Sequence, residues 1–171
     1  MTAFSFQTVP SIKFGEPAAE ALAAMVSGFG ANRLMIVSDR GVVGAGLVEP
    51  VQRSLTELGL TVLVHDDVEA DPPEAKVLEA VAAAQEFGAE AIVGLGGGSP
   101  MDTAKLVALL CRARQPLSEM YGVAQVDRAQ VPGGRLPLFQ VPTTAGTGSE
   151  VTPIAIVTVG AEIKLGVVDP I

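Results

Sequence analysis

Three adjacent glycines, placed between an apolar run and a helix-forming run, are the residues of this sequence best suited to bind an anion. They occupy positions 96–98 within AIVGLGGGSPMDTAKLVALL, residues 91–110. Pro100 suits the first turn of a helix, where a missing N–H costs little, and Ser99 suits the cap before it. A buried strand that ends in side-chain-free backbone at a helix N-terminus offers free N–H groups and a favourable dipole to a phosphate. The segment therefore predicts phosphate binding.

The spacing of these glycines does not identify the phosphate compound. The chain has no Walker loop, because G-x-x-x-x-G-K-[ST] does not occur in it. The common dinucleotide fingerprint is also incomplete, since Gly94 and Gly96 are followed by Ser99 where a third glycine belongs. An ordinary tight turn is the alternative, although three successive glycines cost backbone entropy that such a turn does not require.

Two further segments are candidates for the same site. Asp39 follows the apolar run 33–37, a position from which a carboxylate can accept hydrogen bonds from a ribose and repel a 2′-phosphate. A turn or helix cap explains Asp39 equally well. The positive charge of the neighbouring Arg40 weakens the argument that Asp39 selects NAD over NADP. Residues 143–150 are dense in small hydroxyls and glycines, which let the backbone approach a ligand closely. A flexible loop is the alternative there.

Apolar runs with strand character alternate with runs of helical periodicity along most of the chain. Strands are predicted at 33–37, 61–64, 91–95 and 136–141, and helices at 16–29, 43–58, 74–87 and 100–111. Strands that alternate with helices form βαβ units, so the pattern predicts an α/β fold with a parallel sheet and right-handed crossovers. Two β-rich runs that follow, 154–159 and 163–168, predict a hairpin.

The composition indicates one globular domain over residues 1–171, since apolar residues make up 49% and charged residues 18% of the chain. A net charge of -8 disfavours general binding to nucleic acid or to an anionic membrane, because both need a basic surface. No apolar run reaches the roughly 18–20 residues that span a bilayer. The first residues lack the regions of a signal peptide. We therefore expect a cytoplasmic protein that binds neither nucleic acid nor membrane.

The chain has one cysteine and one histidine, which limits the chemistry it can perform. Cys111 cannot form an internal disulfide and lies in an apolar helical run, so we expect a small buried side chain. His65 follows a strand-like run, and a single histidine with one distant cysteine is too few for the usual zinc sites. A hydrolase is disfavoured, because no G-x-S-x-G elbow occurs and His65 would be the only base. The sequence predicts no metal site within this chain.

The glycine and threonine segments together resemble the two N-terminal signatures of the iron-dependent (group III) alcohol dehydrogenase family. GGGSPMDTAK at 96–105 and PTTAGTGSEVT at 142–152 match those signatures at the expected separation. The succession of Ser99, Pro100 and Asp102 is similar to the alcohol dehydrogenase branch of that superfamily. A maleylacetate reductase or a glycerol dehydrogenase-like enzyme is the alternative within it.

The resemblance implies a Rossmann-like nucleotide-binding domain and a nicotinamide dinucleotide, NAD or NADP, lying across its cleft. It also implies a role for each matching residue. Gly97, Gly98 and Ser99 are expected to hold the pyrophosphate, Asp39 the adenosine ribose, Thr143, Thr144 and Thr147 the adenine side, and Asp102 and Lys164 to lie near the nicotinamide and its ribose.

The resemblance further implies a part that this chain does not contain. Family members continue into a helical domain that supplies an aspartate and histidines as metal ligands. We therefore expect the nucleotide-binding domain of a dehydrogenase that interconverts an alcohol and an aldehyde or ketone by hydride transfer. No residue of this chain is assigned as catalytic, and the chain alone is expected to be inactive, with Fe2+ or Zn2+ only in the complete protein. A stand-alone, non-catalytic nucleotide-binding or dimerisation module is the alternative.

The N-terminus carries an alternating pattern of its own. Phe4, Phe6, Ile12 and Phe14 alternate with polar residues and predict a β-hairpin. An exposed hairpin needs a partner for its edge. Because such pairing looks usual in the family, we expect a homodimer formed through this hairpin.

Overall fold

The computed structural model describes residues 8–15 and 18–170. Its helices are α1 Ala18–Ser27, α2 Arg40–Gly44, α3 Val48–Glu57, α4 Glu74–Phe87 and α5 Gly98–Leu110. Its strands are β1 Arg33–Val37, β2 Thr61–His65, β3 Ala91–Gly96, β4 Gly122–Val123, β5 Leu138–Pro142, β6 Ile154–Val159 and β7 Ile163–Val168. Short 3-10 turns lie at Leu117–Glu119, Arg128–Gln130 and Ser149–Val151.

Four strands form a sheet in the order β2-β1-β3-β5, and every neighbouring pair is parallel. The carboxyl ends of all four strands therefore lie at the same edge of the sheet. The chain moves from β1 to one side to form β2 and then crosses to the other side of β1 to form β3. The crevice between β1 and β3 is thus a topological switch point, where ligands of open α/β sheets bind. The predicted parallel α/β fold is confirmed.

The two central strands are apolar, apart from the exposed Arg33 at the start of β1, because both faces of the sheet are covered. All six residues of β3 are buried, as expected for the centre of a parallel sheet. In β1 the side chains alternate: Met35 and Val37 pack in a core with α4 and α5, whereas Leu34 and Ile36 pack in a second core with α1 and α3. Helices flank both faces, as predicted.

A second, smaller sheet has the order β4-β7-β6 and lies against α5. The hairpin of β6 and β7 is antiparallel and has the predicted bounds. Ala155, Val157 and Val167 of this hairpin are buried in the same core as the apolar face of α5. The hairpin is therefore attached to the helix that begins at the glycine turn.

The predicted start of α5 is wrong. Ser99 does not cap α5: the cap is Gly97, with extended backbone (φ −83°, ψ −161°), and the helix begins at Gly98. Gly96 has φ +153°, a conformation that side chains rarely allow, so the strand turns into the helix within about two residues. Pro100 still lies in the first turn, as predicted. In the run 43–58, Gly44, Gly46 and Pro50 indicate that the regular helix starts near Glu49, and α3 does begin at Val48. The residues before it differ from the prediction, because Asp39 caps the separate short helix α2.

The predicted N-terminal hairpin is not present in the part of the chain that the structure describes. Residues 8–15 contain no strand, and both Ile12 and Phe14 are exposed. Phe4 and Phe6 lie outside the described residues. An isolated two-stranded hairpin is marginally stable in water, which is a physical reason for Ile12 and Phe14 to lack strand structure.

Cys111 and His65 both lie at the ends of elements, away from any cluster of metal-ligand side chains. Cys111 is half-buried after α5, and burial raises the pKa of its thiol to about 11. Burial at the end of β2 lowers the pKa of His65. Within residues 8–15 and 18–170, no three or more His, Cys, Asp or Glu side chains are grouped to hold a metal ion. None of the described helices is both long and apolar enough to cross a membrane.

Candidate functional site

A cavity of about 500 Å³ lies at the carboxyl edge of the parallel sheet. Three parts of the fold line it, each following one strand of the sheet: the turn after β1 (39–41), the loop after β2 (66–70) and the start of α5 after β3 (97–100). The strand order brings these parts together although they are far apart in the chain. Four of the residues selected from the sequence therefore share one cavity: Asp39, Gly97, Gly98 and Ser99.

The glycine turn offers backbone donors to this cavity. Gly97, the cap of α5, provides no side-chain hydrogen bond to the helix. The N–H groups of Gly98 and Ser99 lie in the first turn, where an α-helix has no acceptor of its own for them. The dipole of the 13-residue helix adds a partial positive charge at the same place. This arrangement suits an anion that can approach the backbone closely.

Gly96 makes the tight turn sterically feasible. A Cβ atom at this position would lie 2.7 Å from Pro100 Cγ and 3.6 Å from Asp39 Oδ2. The helix can therefore start directly above the end of β3 only because Gly96 has no side chain. The Asp39 carboxylate lies beside the turn, at an ordinary contact distance from that position.

Asp39 caps a helix, which is one of the two functions that its position suggested, and the ribose contact stays a prediction. Its Oδ1 accepts a hydrogen bond from Val42 N at 2.9 Å and caps α2. Its Oδ2 has no hydrogen-bond partner among the described residues and belongs to a half-buried side chain on the cavity wall. The Asp39 carboxylate can therefore cap α2 through Oδ1 and accept a hydrogen bond from a ligand through Oδ2.

Ser38 holds the two strands of the crevice together, a role that its place in the sequence did not reveal. The side chain is buried, and its Oγ donates to Leu95 O at 2.7 Å. Ser38 N donates to His65 O at 2.8 Å. The ends of β1, β2 and β3 are therefore linked through a single residue directly before Asp39.

The threonine segment follows β5 and runs across the glycine turn. Thr143 N donates to Gly96 O at 2.9 Å. A Cβ at Gly97 would lie 3.4 Å from Thr144 Oγ1, and one at Gly98 would lie 3.5 Å from Thr147 Cγ2. The three threonine side chains are exposed. Because β1 and β5 lie on opposite sides of β3, Asp39 and the threonines flank the turn from opposite sides. Contact of the threonines with the adenine side stays a prediction.

Asp102 belongs to a polar cluster beneath the threonine segment. Its Oδ1 accepts from Lys105 Nζ at 3.1 Å and from Ser149 Oγ at 2.5 Å, and its Oδ2 accepts from Ile156 N at 3.1 Å. Lys105 Nζ also donates to Ser149 Oγ at 2.8 Å and to Ile154 O at 2.5 Å. Both oxygens of Asp102 thus hold protein groups, and its expected place near the nicotinamide stays a prediction.

Lys105 is the last residue of the glycine signature, and its place in the sequence did not indicate a role for it. Its side chain and that of Asp102 are each 15% exposed. Burial lowers the pKa of Lys105, and the charge and hydrogen bond of Asp102 oppose that effect. The cluster connects α5 to the end of the threonine segment and to β6, so it fixes the segment over the glycine turn.

Lys164 lies on β7, in the smaller sheet. Its Nζ donates to Asp71 Oδ1 at 2.6 Å, and both side chains are more than half exposed. Lys164 does not line the cavity at the glycine turn. Lys164 is therefore not among the four selected residues that share the cavity, and its contact with the nicotinamide ribose stays a prediction.

Residues 10–171 match the sequence model of the family described as iron-containing alcohol dehydrogenase. The chain belongs to this family. The match extends over the parallel sheet, the glycine turn, the threonine segment and the smaller sheet. The family resemblance expected from the two signatures is confirmed.

Individual members of the family match almost the whole chain. Alcohol dehydrogenase 4 of Saccharomyces cerevisiae (strain YJM789) is 35% identical over 165 residues, which are 96% of this chain and 42% of the relative. The NAD-dependent methanol dehydrogenase of Bacillus methanolicus is 32% identical over 166 residues, with coverage of 96% and 42%. The crystal structure of a 1,3-propanediol oxidoreductase superposes with a TM-score of 0.90 at 27% identity, covering 98% of this chain and 43% of that one. The chain spans less than half the length of these proteins.

Proposed function

We propose that this chain is the nucleotide-binding part of an iron-containing alcohol dehydrogenase and that it binds a nicotinamide dinucleotide at the carboxyl edge of the parallel sheet. The observation that carries the proposal is the cavity shared by the glycine turn and Asp39. It combines backbone donors for a diphosphate with a carboxylate oxygen for a ribose hydroxyl. The family membership and the NAD dependence of the methanol dehydrogenase relative support the same ligand.

In this proposal the residues of the chain bind and orient the cofactor. Gly97, Gly98 and Ser99 hold the diphosphate through backbone N–H groups, and Asp39 accepts from the adenosine ribose through Oδ2. The threonine segment, fixed by the Asp102 and Lys105 cluster, covers the turn from the β5 side. The cofactor itself supplies the hydride chemistry, by which the complete protein interconverts an alcohol and an aldehyde or ketone.

The metal of the family does not fit the described part of this chain. No group of three or more suitable side chains is present among the described residues. We therefore assign no metal-dependent step to this chain, and we propose that Fe2+ or Zn2+ is held by other parts of the complete protein. The chain alone is then expected to show no alcohol dehydrogenase activity.

Titration of the purified chain with NADH tests the cofactor site. We expect a saturable rise in NADH fluorescence, because binding shields the nicotinamide or holds the cofactor extended. ADP-ribose, which keeps the ribose and the diphosphate but lacks the nicotinamide, should compete. Absence of binding at millimolar NADH would contradict the proposed function.

We also propose that the protein forms a homodimer and that it is cytoplasmic. Phe14 and Ile12 expose large apolar side chains, 104% and 66% accessible, next to the N-terminal residues, and such side chains suit a subunit contact. The acidic chain with its single cysteine fits a reducing compartment. Light scattering should give twice the 17.5 kDa mass of the chain. A monomer at all concentrations would contradict the dimer.

A further inference from the structure

The walls of the cavity at the glycine turn carry mostly negative charge. Asp39 comes from the turn after β1, and Asp66, Asp67 and Glu69 come from the loop after β2. Arg40 is the only basic residue among those that line the cavity in the described part of the chain. If the ligand carried an additional phosphate beside Asp39, Arg40 would be the residue of the lining that could neutralise its charge.

Arg40 is already paired with Asp67 in this structure. Arg40 Nη2 donates to Asp67 Oδ1 at 2.6 Å, and Lys76 Nζ donates to Asp67 Oδ2 at 2.8 Å. The backbones of Asp39 and Asp67 form an isolated antiparallel bridge, which keeps the two turns side by side. The hydrogen bond from Lys76 lowers the pKa of Asp67, so the carboxylate stays charged at neutral pH. Asp67 thus pairs with the one basic residue among those that line the cavity, and Lys76 holds its other oxygen from outside the lining.

We propose that Asp67 is a specificity-determining residue that favours NAD over NADP by pairing with Arg40, the cation that would otherwise face a 2′-phosphate. The inference rests on the proposed cofactor site. An arginine near the ribose is the usual means of accommodating a 2′-phosphate, and here the arginine next to Asp39 in the chain is already paired. Asp67 acts through Arg40 and is separate from the ribose acceptor Asp39.

The test compares the dissociation constants of NADPH and NADH for the native chain and for Asp67→Asn. Asparagine keeps the shape of the side chain but removes its charge, which releases Arg40. We expect the ratio of the NADPH constant to the NADH constant to fall about fivefold, a modest change because these side chains are exposed and screened by salt. The change should shrink as the salt concentration rises.

Two further variants distinguish the effect of the ion pair between Asp67 and Arg40 from a general effect of charge. Glu79 also pairs with Lys76, at 2.9 Å, but does not line the cavity, so Glu79→Gln should leave the ratio unchanged. The double variant Asp67→Asn with Arg40→Gln should return the ratio to near its native value. An unchanged ratio in Asp67→Asn, an equal fall in Glu79→Gln, or a full gain in the double variant would each overturn the inference. Failure of the native chain to bind NADH would instead refute the proposed function.

Discussion

Replacing Gly98 with alanine is expected to weaken NADH binding about thirtyfold, or ~2 kcal/mol, without loss of stability. A Cβ at Gly98 would lie 3.5 Å from Thr147 Cγ2, an ordinary contact that the fold can accept. Alanine also favours helix over glycine by up to about 1 kcal/mol. The new methyl group, however, stands at the first turn of α5, where a diphosphate must approach the backbone. NADH titration and thermal unfolding of the same sample measure both effects.

Gly44 provides the matched control for this substitution. It lies in α2, does not line the cavity, and a Cβ there would meet no atom within 4 Å. Gly44→Ala should therefore leave NADH affinity unchanged. Native affinity in Gly98→Ala would show that no phosphate approaches the backbone at Gly98.

Replacing Lys105 with methionine is expected to lower the free energy of unfolding by about 3 kcal/mol, since removing one partner of a buried ion pair leaves the other charge uncompensated. Asp102 is 15% exposed and would lose its cation, while Ser149 Oγ and Ile154 O would lose a donor. For a chain of this size the unfolding midpoint should fall by about 6–12 °C. Chemical denaturation of the native chain and the variant measures the difference directly.

The exposed pair of Lys164 and Asp71 is the control for the buried one. Both of its side chains are more than half exposed, so Lys164→Met should cost less than about 1 kcal/mol. Adding Asp102→Asn to Lys105→Met should recover part of the loss, because no unpaired charge is then left in the cluster. Equal losses in the two lysine variants would contradict the structural role of Lys105.

Much of the secondary structure follows from local patterns. The strands at 33–37, 154–159 and 163–168 and the helix at 74–87 have the predicted bounds, because apolar periodicity reports directly which face of an element is buried. The glycine turn could also be recognised, since three successive glycines are costly unless the backbone must turn tightly or be approached closely. The start of α5 was misplaced because a glycine cap leaves no polar side chain as a signal.

The surroundings of the turn depend on contacts between distant parts of the chain. Arg40 and Asp67 are 27 residues apart, and Lys105 and Ser149 are 44 apart. Those pairs form only because β2 and β3 flank β1 and the hairpin of β6 and β7 packs on α5. The sequence by itself determined a parallel α/β fold and a glycine turn at the start of α5, and it predicted that this turn binds a phosphate. The tertiary structure decided which charges surround that turn, because strand order brings together side chains whose separation along the chain carries no periodic signal.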